Sequence, residues 1–195
     1  MNKRVILVTG TPCTGKTTVA KRLTSKLDAF YINLTEFAKT HDLTIGKDET
    51  RKSIIIDEER MRAKLVESIE TTEKNTIIVD GHYAAAVVPK SWVTRIFVLR
   101  RNPIELKKIM DKLGFSDIKL WENLASEILD VCLVEALQEY EREMVCELDI
   151  TGKNVEVVVK EIQVVLDENK KCPVGHIDWL GTLETAGLLD NYLKV

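Results

Sequence analysis

Eight residues near the amino terminus, Gly10-Thr11-Pro12-Cys13-Thr14-Gly15-Lys16-Thr17, follow the pattern G-x-x-x-x-G-K-[ST]. The pattern answers an electrostatic problem. A triphosphate carries several negative charges, and away from bulk water something else must solvate them. Glycines let the chain curl so that successive backbone N–H groups point inward. A helix opening near Gly15 adds the positive end of its dipole. Lys16 brings a point charge to the β- and γ-phosphates, and Thr17 offers a hydroxyl to Mg²⁺. Gly10, Cys13, Thr14, Gly15, Lys16, Thr17 and Thr18 are therefore candidate ATP-binding residues. A chance glycine turn would lack the flanks found here. An apolar run, Arg4 to Thr9, leads into the loop, and a helical pattern leaves it as far as Leu27.

A second apolar run, Thr76 to Val79, ends in Asp80. A carboxylate at the end of a buried strand next to a phosphate loop suits a Mg²⁺ ion held directly or through water, so Thr17 and Asp80 form the candidate metal pair. His82 follows two residues later. A neutral imidazole there could orient a water, although a half-buried packing histidine is an equal reading. Charge developing on a transferred phosphoryl group needs cations. Arg100 and Arg101, at the carboxyl end of a predicted strand, and Lys112 are candidates for that task. Arg51, Arg60, Asp57 and Asn33 are candidates for holding an acceptor, and Lys153 for framing the donor's base. Each of these is also explained by a surface charge or a helix start.

The elements that must position these residues are legible from patterning. Continuous Val/Ile/Leu runs predict parallel strands buried on both faces at residues 4–9, 30–34, 76–79 and 95–99, with a short fifth at Leu148–Ile150. Asn33 with Glu36 resembles a capping box, three acids at Asp57–Glu59 open a helix to about Thr72, and Asn102-Pro103 opens another. Residues 42–56 read as polar and irregular as far as Ile54–Ile56. Apolar residues recur at helical spacing from Asp117 to Glu147, and Asn154 caps a helix ending near Leu166. Such alternation predicts an α/β fold of the P-loop NTPase type, a five-stranded parallel sheet with helices on both faces.

The chain has 195 residues, a formal charge of −3 and 45% hydrophobic residues, enough for one core. The balance does not indicate direct nucleic-acid binding, and no apolar run approaches the roughly 20 residues of a membrane span. A soluble, cytoplasmic protein is expected. The four cysteines, Cys13, Cys132, Cys146 and Cys172, lack metal-clip spacing and are expected to be isolated reduced thiols.

The order of motifs resembles the adenylate kinases, specifically their isoenzyme 6 branch, whose members also act as small-subunit ribosome assembly factors. The matching segments are GTPCTGKTT (10–18), YIN (31–33), DEER (57–60), VDGH (79–82), Pro89 with Trp92, FVLR (97–100), ENLASEI (122–128) and the Lys153 region. The resemblance implies a kinase domain over residues 1–168, with a short acceptor-binding insert at about 33–56 and a short lid at about 111–121. Residues 169–195 form a tail expected to be helical and packed on the domain. It implies Mg²⁺-dependent transfer from ATP to AMP, or another nucleoside monophosphate, giving ADP, with accompanying ATPase activity and a role in 16S–18S rRNA maturation. The alternative is an ATP-hydrolysing switch that binds a small-subunit ribosomal protein and has little kinase activity. A GTPase switch is disfavoured by the lack of an Asn-Lys-x-Asp motif. The chain departs from the branch at Cys13-Thr14, at Leu113, where the lid carries arginine, and at Ala84–Val88, where polar residues are usual.

Overall fold

The computed structural model describes residues 3–48, 53–115, 117–168 and 171–194. In chain order the elements are β1 (Arg4–Thr9), α1 (Lys16–Leu27), β2 (Phe30–Asn33), α2 (Leu34–Thr40), β3 (Thr44–Asp48), β4 (Ser53–Ile56), α3 (Glu58–Thr71), β5 (Thr76–Asp80), α4 (Ala84–Val87), β6 (Val93–Arg100), α5 (Pro103–Lys112), α6 (Asp117–Ile128), α7 (Val131–Glu139), β7 (Val145–Asp149), α8 (Val155–Asp167), α9 (Trp179–Thr185) and α10 (Leu189–Tyr192). Five strands form one sheet in the order β2-β5-β1-β6-β7, with every pairing parallel. Val5, Leu7, Ile77 and Val79 face one core with α3, α4 and α7, whereas Ile6, Val8 and Ile78 face a second core with α1 and α8. Alternate residues of one strand thus bury into opposite layers, which is why these strands read as unbroken apolar runs.

Local capping agrees with the sequence at four helices. Asn33 accepts from Glu36 N at 3.0 Å, Asp57 from Arg60 N at 3.1 Å, Asn102 from Ile104 N at 2.9 Å and Asn154 from Val157 N at 3.1 Å. Each side chain satisfies one of the first N–H groups that a helix leaves unpaired.

Four expectations are corrected. Within the expected irregular stretch 42–56, residues 44–48 and 53–56 are regular, because β3 and β4 pair antiparallel, Thr44 opposite Ile56 and Asp48 opposite Ser53. Ile45 and Ile55 stay exposed and Ile54 and Ile56 are only half-buried, so this ribbon has no fully buried face to impose a legible alternation. The long helical pattern from 117 is two helices and a strand. The break falls at Asp130, in the left-handed region with φ 59°, and β7 begins at Val145.

The thiols are not all free. Cys146 on β7 is joined to Cys172, with Cα atoms 4.9 Å apart and a separation of 26 positions in sequence. No spacing rule marks such a pair, because tail and strand meet only in the fold, where Glu147 N also donates to Pro173 O. In the chain-entropy view, a loop of that length contributes about 3 kcal/mol.

The fourth correction concerns Arg100, which does not face the ligand side of the sheet. Its side chain is 1% exposed and is consumed by three carboxylates. Nε donates to Glu127 Oε1 at 2.9 Å, Nη1 to Glu147 Oε1 at 2.7 Å, and Nη2 to Asp130. Burial costs a guanidinium its hydration, and the acids raise its pKa further above the ordinary value, so it stays charged. Removing one partner of a buried ion cluster strands the others without compensation. Arg100→Met should lower unfolding free energy by about 3–5 kcal/mol, read from denaturant midpoints. A change under about 1 kcal/mol would show that the carboxylates find other partners.

Candidate functional site

The loop between β1 and α1 is shaped by backbone that ordinary residues resist. Gly10 has φ 135°, and a Cβ there would stand 2.3 Å from the carbonyl oxygen of Leu99. Gly15 has φ 108°, and Cys13 also sits in the left-handed region at 68°. Inside the loop, Thr14 Oγ1 donates to Thr11 O at 2.9 Å, and Lys16 Nζ donates to the same carbonyl at 2.8 Å. Lys16 is buried, and desolvation pulls its pKa below the ordinary value. The first turn of α1 carries no acid and Gly15 provides no side-chain cap, so its N–H groups remain open to an anion.

Sheet register brings the second half of the site beside the first. Val8 of β1 and Asn33 of β2 both lie level with Asp80 of β5. Three donors converge on Asp80 Oδ2: Thr17 Oγ1 at 2.7 Å, Tyr31 OH at 2.9 Å and Asn33 Nδ2 at 2.9 Å. Asn33 is spent at both ends, since its Oδ1 caps α2. Burial, and then the Asp80 carboxylate, raise the Tyr31 pKa, which keeps its phenol a donor. The hydroxyl and carboxylate oxygens of Thr17 and Asp80 suit a hard cation completed by phosphate oxygens and water, so these two residues fit Mg²⁺.

A cleft of about 800 Å³ opens over this floor. One wall comes from α2, β4 and the start of α3, through Thr35, Ala38, Ile54, Ile56 and Glu58. The other comes from α6 and α7, through Lys119, Asn123, Ser126, Cys132 and Glu135.

The family profile described as "AAA domain" matches residues 6–130. A protein of Methanocaldococcus jannaschii named "Putative adenylate kinase" is 40% identical over 174 residues, covering 89% of this chain and 92% of its own length. One of the same name from Saccharolobus solfataricus is 34% identical over 191 residues, covering 98% and 95%. The chain belongs to the adenylate kinase family. Among solved structures, the shikimate kinase of Bacteroides thetaiotaomicron aligns with a TM-score of 0.54 at 20% identity, over 85% of this chain and 98% of that one. The thymidylate kinase of Candida albicans aligns at 0.53 and 16%, over 91% and 96%. Those two likenesses concern the fold.

In this adenylate kinase-family cleft the sequence candidates separate. Lys16, Thr17, Asn33, Asp80 and His82 line it together. Arg101 lies beneath the loop, with Nε donating to Thr14 O at 3.1 Å and Nη1 paired to Glu105. Lys153 is paired with Glu161 at 2.8 Å. Lys112 is exposed at the end of α5, and Asp57 and Arg60 serve the start of α3 without lining the cleft. Arg51 lies outside the described residues. Sequence reasoning did not assign Tyr31, although Tyr31 and Asn33 are two apart on a strand and share a face. It also missed Lys119, Asn123 and Ser126, whose spacing of four and three marks the face of α6 opposite its buried Leu120, Leu124 and Ile128.

No helix among the described residues is long and apolar enough to cross a membrane, and no cluster of three or more His, Cys, Asp or Glu side chains is placed to hold a metal.

His82 is solvent-accessible but recessed in the cleft. Partial burial, then Lys16 and Lys119, push its pKa down from 6.5 to about 4, against a smaller opposing pull from Asp80. The imidazole is therefore neutral at pH 7. Between those values the unfolded chain binds a proton that the folded chain refuses, so this group makes stability fall as pH drops from 6.5 towards 4. His82→Gln should flatten the melting-temperature profile across that interval. An unchanged slope would assign the titration to another group.

Proposed function

We propose that this protein transfers the γ-phosphoryl group of Mg·ATP to AMP or another nucleoside monophosphate, giving two diphosphates. The observation that carries the reading is the two-walled cleft above Lys16, Thr17 and Asp80. Its size, about 800 Å³, lies in the upper part of the range of small-ligand sites. The relatives' names support the same reading.

In this mechanism the loop N–H groups and Lys16 hold the donor's β- and γ-phosphates. Thr17 and Asp80 would hold Mg²⁺, which supplies charge neutralisation on those oxygens. A phosphate oxygen of the acceptor attacks the γ-phosphorus as the bond to the β,γ-bridging oxygen breaks, and the electron pair leaves with ADP. The nucleophile is already anionic, so no residue must remove a proton. Tyr31 and Asn33 keep the Asp80 carboxylate aimed and, through the cap on α2, tie it to the acceptor wall.

A second reading has one observation in its favour. His82 opens onto the same cleft as a neutral imidazole, able to accept a hydrogen bond from a water in line with the γ-phosphate. A lid made of little more than the end of α5 and the start of α6 would exclude water poorly. Hydrolysis in this site, coupled to a small-subunit ribosomal protein during rRNA maturation, is that reading.

ADP formation from ATP plus AMP should outrun phosphate release from ATP alone, and Lys16→Ala should abolish both in a folded protein. Indifference to every monophosphate in a broad screen would leave hydrolysis as the reaction. The two activities should also part at a single residue. Asp80→Ala should damage both, whereas His82→Ala should lower phosphate release about 10²-fold and AMP phosphorylation less. Equal losses in paired assays would make His82 a packing residue.

A further inference from the structure

Phosphoryl transfer spreads negative charge over the equatorial oxygens of the moving group, and one lysine beneath the phosphates does not surround it. The structure withdraws most other cations from that task. Arg100 is locked among three carboxylates, Arg101 is held by Thr14 O and Glu105, and Lys153 is paired with Glu161.

Lys119 is different. It is half-buried on α6 and lines the cleft with Lys16, Asp80 and His82. Among the described residues its ammonium makes no ion pair or hydrogen bond. It stands on the α6 wall of the cleft whose floor holds Lys16 and Thr17 of the phosphate loop. One turn further along α6, Asn123 also lines the cleft. Its amide nitrogen is buried and finds no acceptor among the described residues. A buried donor without an acceptor is costly, and an anionic oxygen in the cleft would satisfy it.

We infer that Lys119 and Asn123, four residues apart on α6, bind the phosphoryl group in transit and contribute more to the transition state than to nucleotide binding. This rests on the phosphotransfer reading of the cleft but not on AMP as the acceptor. Lys119 provides the charge, and Asn123 a fixed donor beside it.

The test uses the full chain carrying Lys119→Met, Lys119→Arg or Asn123→Ala. Turnover is measured with ATP plus AMP and with ATP alone. Binding is measured for Mg·ADP, and for Mg·ADP with aluminium fluoride as a mimic of the transferring group. Lys119→Met should lower kcat about 10²–10³-fold in whichever reaction the wild type performs, since that is the usual cost of removing one charge-stabilising donor. Mg·ADP affinity should change less than about threefold, while the aluminium fluoride complex weakens in parallel with kcat. Lys119→Arg should recover most of the loss, and Asn123→Ala should show a smaller loss with the same split. A wild type that only hydrolyses ATP removes the AMP reading and leaves this one standing. Unchanged kcat in Lys119→Met, or equal weakening of Mg·ADP and its aluminium fluoride complex, would overturn it. Thermal melts of the same samples, with recovery by Lys119→Arg, separate this outcome from misfolding.

Discussion

The guanidinium of Arg100 is the contact on which the remainder of the site leans. It stands at the carboxyl end of β6 and joins Glu127 of α6, Asp130 in the break before α7, and Glu147 of β7. The same acids reach outward. Glu127 Oε1 accepts from Trp179 Nε1 at 3.1 Å and from the Arg101 backbone N–H at 3.0 Å, and Glu147 Oε2 accepts from Gly175 N at 2.7 Å. Strand, helix, tail and the residue beneath the phosphate loop thus meet at one charge cluster. Buried ion clusters contribute little net stability compared with apolar packing, but they allow few alternative arrangements. Here the arrangement ties the carboxyl-terminal end of α6 to β6 and β7.

Asp80 plays the corresponding part for the floor of the cleft. Its partners come from α1 and β2, and the row is assembled by parallel register, not by any local signal. Because Asn33 serves both Asp80 and the start of α2, the floor of the cleft and its α2 wall share one side chain.

The legible part of this protein is whatever local physics enforces. The phosphate loop, the strands around it and the capped helices follow from glycine, apolar runs and short-range hydrogen bonds, and all three appear in the fold. Asp80 could be read because a strand end beside such a loop leaves few roles for a carboxylate. The cations could not. Arg100 and Lys119 are both basic residues near the carboxyl edge of the sheet, and only the presence of Glu127, Asp130 and Glu147 around one of them decides which is structural. The ribbon of β3 and β4 was hidden because Ile45 and Ile55 face solvent and Ile54 and Ile56 are only half-buried, and the break at Asp130 because the apolar spacing of α6 runs on into α7. The link from Cys146 to Cys172 joins segments that no sequence rule places together.

The close approach at Gly10 bears on the entropy of nucleotide binding. With the Leu99 carbonyl standing where a side chain would begin, the loop is seated against β6 before any phosphate arrives. Register locks the same contact from the other side, with Thr9 level with Val98. Fixing a free backbone residue costs about 1–2 kcal/mol. A loop held in its bound shape by the sheet itself does not lose that freedom when the ligand binds, so more of the attraction between its N–H groups and the phosphates survives as affinity.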